Sequence, residues 1–174
     1  MDPVQLIRDD HDHVRALFQA FAEAPDHRTK ERLVKQLILT LEIHETVEEE
    51  ILYGQLRALD GMADLIAAAE AEHHDADRLM LALSEMPRAD NQYEARVGSL
   101  HRTVEHHIDR EEAEVLPRAY LLDPALLRDM AEQIEKRRRE LLTRAPYPLA
   151  GRRARRATRT SRATGRDSRE AHAG

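Results

Sequence analysis

The sequence predicts an all-α fold: an antiparallel up-down four-helix bundle with a short fifth helix and a disordered basic C-terminal tail. Three observations carry this expectation. Apolar residues recur every three or four positions over four long stretches, the spacing that lines one face of an α-helix. Short breaks containing Pro, Gly or Asp separate these stretches, as in bundles whose neighbouring helices run antiparallel. Aromatic residues make up only 3% of the chain and Trp is absent, which argues against a β-sandwich or barrel.

The first helix is expected from about Pro3 to Ala22, with Pro in its first turn and Ile7, Val14, Phe18 and Phe21 on one face. Ala24-Pro25-Asp26 breaks it. The second runs from about Arg28 to Leu59, carries Leu33, Leu37, Leu41, Leu52 and Leu56, and stops at Asp60-Gly61. The third spans about Ala63 to Met86, with Ile66, Ala69, Ala76, Leu79, Met80 and Leu83 facing inward. The fourth spans about Gln92 to Leu116, along Val97, Leu100, Val104 and Val115, and Pro117 is expected to kink or end it. A shorter fifth helix follows from about Pro124 to Arg144, with Asp123 placed to cap it. The chain thus divides into a bundle over 1–122, a packed C-terminal helix over 123–145, and a tail over 146–174 made largely of Arg, Ala, Thr, Ser and Gly.

With 174 residues the chain suggests one domain, long enough for a proper core. There is no Cys, so disulfides, thiolate metal sites, iron–sulfur clusters and cysteine nucleophiles are excluded. The N-terminus lacks a basic segment followed by an apolar run. No apolar stretch reaches the roughly 18 residues of a membrane span, so a cytoplasmic protein is expected. From Arg144 onward nine Arg face Asp167 and Glu170, a surplus of +7, so the remainder carries −13 of the net charge of −6. That tail could meet phosphates, but it has no interleaved aromatics or fold, and a solubilising segment is the expectation rather than a nucleic-acid binder.

The ten His are where chemistry is to be sought. His11 and His73 each lie on an apolar helix face. His44 with Glu48, and His107 with Glu111, continue apolar stripes where Leu or Ile would be expected. His11 precedes His44 by 33 residues and His73 precedes His107 by 34, so a lone His followed by His-x3-Glu occurs twice. Apolar residues at +3, +6, +7 and +10 from His11 recur at the same offsets from His73. One His on an apolar face is ordinarily a satisfied core residue. Two matching sets of three, whose burial without partners is costly, point to a metal site at the centre of a pseudo-two-fold bundle. Imidazole with carboxylate favours Fe or Mn over Cu. Four His and two bridging Glu would fill about eight of roughly twelve positions around two octahedral ions. The rest is left for an oxo or hydroxo bridge and an external ligand. The zincin motif is not completed, since His44-Glu45-Thr46-Val47 is followed by Glu48. The Glu-x-x-His of ferritin-like sites occurs once, ending at His73.

The ordered set His11, His44-x3-Glu48, His73, His107-x3-Glu111 resembles the hemerythrin-like (HHE cation-binding) family. The strings around Asp10-His11-Asp12-His13, His44 to Tyr53, Glu72-His73-His74-Asp75 and His106-His107-Ile108-Asp109-Arg110-Glu111 are similar too. The resemblance covers about residues 3–120. It implies two non-heme iron ions, oxo- or hydroxo-bridged, held by His11, His44, Glu48, His73, His107 and Glu111, with both Glu as bridges. It implies binding of or reaction with O2, peroxide or nitric oxide, in sensing, in iron storage or delivery, or in catalase- or peroxidase-like turnover. Asp77 stands where the oxygen-carrying branch has a second His on helix three. Glu111 follows His107 by four rather than five. Both features indicate the bacterial-type branch.

Around the six, His74 and His106 are the alternatives to His73 and His107, each off its stripe. Glu45 and Asp77 are possible extra ligands. Tyr53 is expected in the core or at the rim. Glu49, Glu50 and Glu112 are expected on a solvated face.

Overall fold

The computed structural model describes residues 1–87 and 89–143, and every regular element among them is helical. The basic segment 146–174, expected to be disordered, lies outside the described residues. Helix α1 (Pro3–Glu23) begins at Asp2, whose side chain accepts the Val4 N–H at 2.9 Å. Helix α2 (His27–Val47) is capped in the same way by Asp26, which accepts the Thr29 N–H at 2.8 Å. Both caps satisfy amide donors that the first turn leaves unpaired. Gly61, at φ +74°, turns the chain into α4 (Met62–Glu85) through the left-handed region that Gly enters without strain. Asp123 accepts the Ala125 N–H at 2.7 Å, so the expected cap of the last helix is present.

The second and fourth bundle helices are not the uninterrupted rods that periodicity predicts. Helix α2 passes into a π turn, Glu48–Leu52, and then a short α3 (Tyr53–Leu56). Helix α5 (Tyr93–Arg110) passes into a second π turn, Glu111–Val115, and then α6 (Leu116–Ala119). Each π turn opens at the Glu of a His-x3-Glu pair. The Glu48 carbonyl accepts the N–H of Tyr53, and that of Glu111 accepts the N–H of Leu116, five residues on in both cases. Pro117 falls in the first turn of α6, where a helix tolerates it, so the chain continues to Ala119.

The core is two apolar clusters rather than one. Val14, Phe18, Leu37, Met80, Leu100 and Val104 belong to the first. Ile7, Leu52, Leu56, Ile66, Leu116 and Met130 belong to the second. The six inward His and Glu residues lie between them along each helix. Helix α7 (Pro124–Thr143) buries Met130, Ala131, Ile134 and Leu141 and packs on α1, α2 and the first π turn. Burial of each large side chain contributes about 1.5–3 kcal/mol. No described helix is long and apolar enough to cross a membrane.

Candidate metal centre

All six sequence-predicted residues converge. His11, His44, Glu48, His73, His107 and Glu111 are each at most 6% exposed. Their donor atoms form two groups, each within 4.8 Å of one another: His11, His44, Glu48 and Glu111 in one, Glu48, His73 and His107 in the other. Glu48 belongs to both and turns one oxygen to each. Its Oε1 is 3.2 Å from His44 Nε2, and its Oε2 is 3.3 Å from His73 Nε2. Glu111 stands in the first group alone, with Oε2 3.2 Å from His11 Nε2. Tyr53 lies between the two carboxylates: its buried hydroxyl donates to Glu111 Oε1 at 2.9 Å and lies 3.4 Å from Glu48 Oε2.

Each imidazole is held from behind by a carboxylate. The Nδ1 atom of His11 meets Glu112 at 2.9 Å, that of His44 meets Asp10 at 3.4 Å, that of His73 meets Glu49 at 3.1 Å and that of His107 meets Glu72 at 3.0 Å. The pattern follows the internal repeat. Asp10 and Glu72 immediately precede the lone His of each half and hold the His of the next helix. Glu49 and Glu112 immediately follow the Glu of each half and hold the lone His of the other half. Nδ1–H donation to a carboxylate leaves the Nε2 lone pair facing inward, the arrangement that orients histidine metal ligands. Arginines back three of these carboxylates: Arg15 contacts Glu112, Arg110 contacts Glu72 and Arg138 contacts Asp10.

Several of these residues correct the sequence expectation. Glu49 and Glu112 are partly buried partners of the rings rather than a solvated face, and exposed Glu50 pairs with Arg137. Glu45, 2% exposed, is buried but stands outside both donor groups. His74 and His106 are exposed, so His73 and His107 are the inward residues of each pair. Asp10 and Glu72 were legible only as an acid preceding each lone His. Tyr53 could be found only by knowing that a π turn brings the fifth residue over the Glu.

The donor set suits cations on physical grounds. Four atoms, His11 Nε2, His44 Nε2, Glu48 Oε1 and Glu111 Oε2, are buried without a hydrogen-bond partner, a condition that costs about 1–3 kcal/mol for each neutral group and more for a charged one. His73 Nε2 and His107 Nε2 face each other at 3.2 Å, and with both Nδ1 atoms turned to carboxylates their lone pairs repel unless positive charge lies between them. Burial, and next the charge of Glu111, push the Glu48 carboxyl well above the usual carboxylate range. Burial would raise Glu111 too, but the His11 ring beside it and the other nearby imidazoles hold it below that range. Burial alone would lower His11, yet the Glu111 and Glu112 carboxylates against its ring raise it. Burial dominates at His44 and lowers it. Burial and the two carboxylates hold Tyr53 as a neutral phenol. Two carboxylates this close cannot both ionise unless positive charge sits beside them.

A small recess reaches the rings. Val14, Leu41, Ala76, Val104 and Ile108 wall it, His44, His73 and His107 lie along it, and its volume of about 10 Å³ suits one water-sized molecule.

A helical bundle whose buried nitrogen and oxygen donors split into two groups sharing one carboxylate defines a cation-binding bundle. The chain belongs to the hemerythrin HHE cation binding domain family, whose pattern matches residues 2–119. It is similar in structure to a hemerythrin HHE cation binding domain-containing protein from Mycobacterium kansasii, with 25% identity and a TM-score of 0.73 over 81% of this chain and 87% of that one. It is also 26% identical over 113 residues to a DNA nickase from Nostoc sp.. That match takes in 65% of this chain and spans about a third, 32%, of the nickase.

Proposed function

We propose that the centre holds two iron ions and reacts with O2 or small relatives, peroxide and nitric oxide. In this reading His11, His44, Glu48 and Glu111 would hold one ion, and Glu48, His73 and His107 would hold the other. The observation that carries it is the placing of Glu48, one oxygen toward each donor group. Nitrogen and carboxylate donors without sulfur suit iron, and the second group supplies only three protein donors, unlike the closed four-ligand set of a structural zinc site.

Iron held by these residues would supply redox chemistry toward O2 or peroxide. The protein's own contribution is positional. The Nδ1 carboxylates fix the ring planes, Tyr53 holds Glu111 in place, and the recess brings one water-sized molecule to His44, His73 and His107.

The test is metal content with the visible absorption spectrum in air. About two Fe per chain with oxo-to-iron charge-transfer bands is the expected result; stoichiometric zinc, or one metal per chain, overturns it. A peroxide-decay assay on the iron-loaded protein then separates turnover from binding. Decay no faster than with the same concentration of free iron removes the catalase- or peroxidase-like reading and leaves sensing or iron handling.

A further inference from the structure

Behind three of the four histidines the carboxylate is held by an arginine, and the arginines come from different helices. Behind His107, Glu72 is held by Arg110 of α5. Behind His11, Glu112 is held by Arg15 of α1, which also reaches Glu105 and Asp109. Both arginines belong to the four-helix bundle. Behind His44, Asp10 is held by Arg138, and Arg138 belongs to α7, which lies beyond the segment 2–119 that matches the family.

Arg138 is fixed from several sides. Its guanidinium donates to the Leu6 carbonyl at 2.9 Å and contacts Asp10 and Glu135. Its Nε is buried without a hydrogen-bond partner, so it is committed to this pocket rather than spread over the surface. The preceding residue, Arg137, grips both oxygens of Glu50 at 2.7 and 3.0 Å, two residues after Glu48 in the first π turn. Consecutive residues of α7 therefore hold the two places that aim His44 and Glu48. Nothing equivalent from α7 reaches Glu72 or Glu112 among the described residues.

We infer that Arg138 is a positioning residue for the first cation group, acting through Asp10 on His44, which the second group does not contain. Resting on the two-ion reading above, this makes the two ions unequal. With Arg138 in place, Asp10 keeps a single orientation toward His44 Nδ1, and His44 keeps its Nε2 aimed inward. Without Arg138, Asp10 is free to turn to solvent and the His44 ring loses its fixed tautomer and plane. Loss of such outer partners lowers metal affinity about 10- to 100-fold.

The experiment titrates ferrous iron anaerobically into the full-length apo-protein and its variants. Alongside, the His44 ring nitrogens are followed by nitrogen-15 NMR before iron is added. Arg138→Met is expected to weaken one ion about 10- to 100-fold while the other keeps its affinity, and to mix the His44 tautomers. Arg138→Lys is expected to recover part of both effects. Ile134→Ala, which loosens α7 without touching the Arg138–Asp10 contact, is expected to lower Tm with both ions at native affinity. The inference is overturned if Arg138→Met binds both ions as the native protein does, if it weakens both equally, or if Ile134→Ala reproduces the selective loss. A native protein that takes up fewer than two ions overturns instead the reading beneath it, and the NMR comparison of His44 still reports on Arg138.

Discussion

The two helical hairpins of the molecule carry the same ligand pattern in the same order and differ at the buried position five residues after each Glu. In α1 and α2 these parts are an acid followed by His11, then His44-x3-Glu48 and a π turn; in α4 and α5 they are an acid followed by His73, then His107-x3-Glu111 and a π turn. The fifth residue after Glu48 is Tyr53, and the fifth after Glu111 is Leu116. Both are fully buried. Leu116 fills the apolar cluster beside α7. Tyr53 sends its hydroxyl across the core to Glu111, the carboxylate of the opposite hairpin. That difference sets the two carboxylates apart: Glu111 accepts the phenol at 2.9 Å, while Glu48, 3.4 Å from it, has an oxygen toward each donor group.

The comparison is most severely tested at the two glutamates. Glu48→Gln is expected to cost both ions and Glu111→Gln only one, measured as metal per chain after anaerobic loading with iron. Equal losses would remove the distinction between them. At the fifth position the two hairpins should respond differently. Leu116→Ala leaves a cavity and is expected to cost about 2–5 kcal/mol in denaturant unfolding of the apo-protein, with two ions still bound. Tyr53→Phe strands a buried carboxylate oxygen and is expected to cost about 1–3 kcal/mol, and unlike Leu116→Ala it should weaken the first ion. If the two variants have the same effect on metal affinity, the phenol has no special part.

A smaller effect follows from pH. Burial, and next the Glu111 charge, raise Glu48 above its unfolded value. A raised carboxyl lends stability that is fully present below the unfolded value and is lost as pH rises through the folded one. Cations displace that proton, so binding tightens over the same window. The Tm of the loaded protein minus that of the apo-protein is thus expected to widen as pH rises from the ordinary carboxylate range upward. A constant or narrowing gap would show that Glu48 does not take up the proton.

Much of the fold was legible because burial leaves a regular mark. Leu33, Leu37 and Leu41, or Val97, Leu100 and Val104, announce one helix face each, and His44 and His107 stand out by continuing those stripes. The π turns were not legible, because a search for three- and four-residue spacing has no place for a five-residue step. The carboxylates behind the rings escaped for another reason. Glu112 lies 101 positions from His11, and an acid beside a ligand reads as surface charge until the fold brings its partner to it. Arg138, further along still, is an ordinary charged residue of an amphipathic helix in the sequence and a support of the centre only in three dimensions.

The π turns also set how the chain tolerates length changes. In a plain α-helix a residue five positions on is rotated about 140° from the first, so Tyr53 would turn away from Glu48 and Leu116 away from Glu111. The extra residue in each turn allows two of the four helices to present ligands on one side of that level and apolar side chains in a different angular phase on the other. The bundle is in effect two shorter bundles of unequal phase, joined at the layer of His and Glu. Excising one residue from 49–52 or from 112–115 would put Tyr53 or Leu116 four positions after its Glu, about 40° around a plain helix, so a regular helix could replace the wide turn with the ligands and the apolar end still on one face.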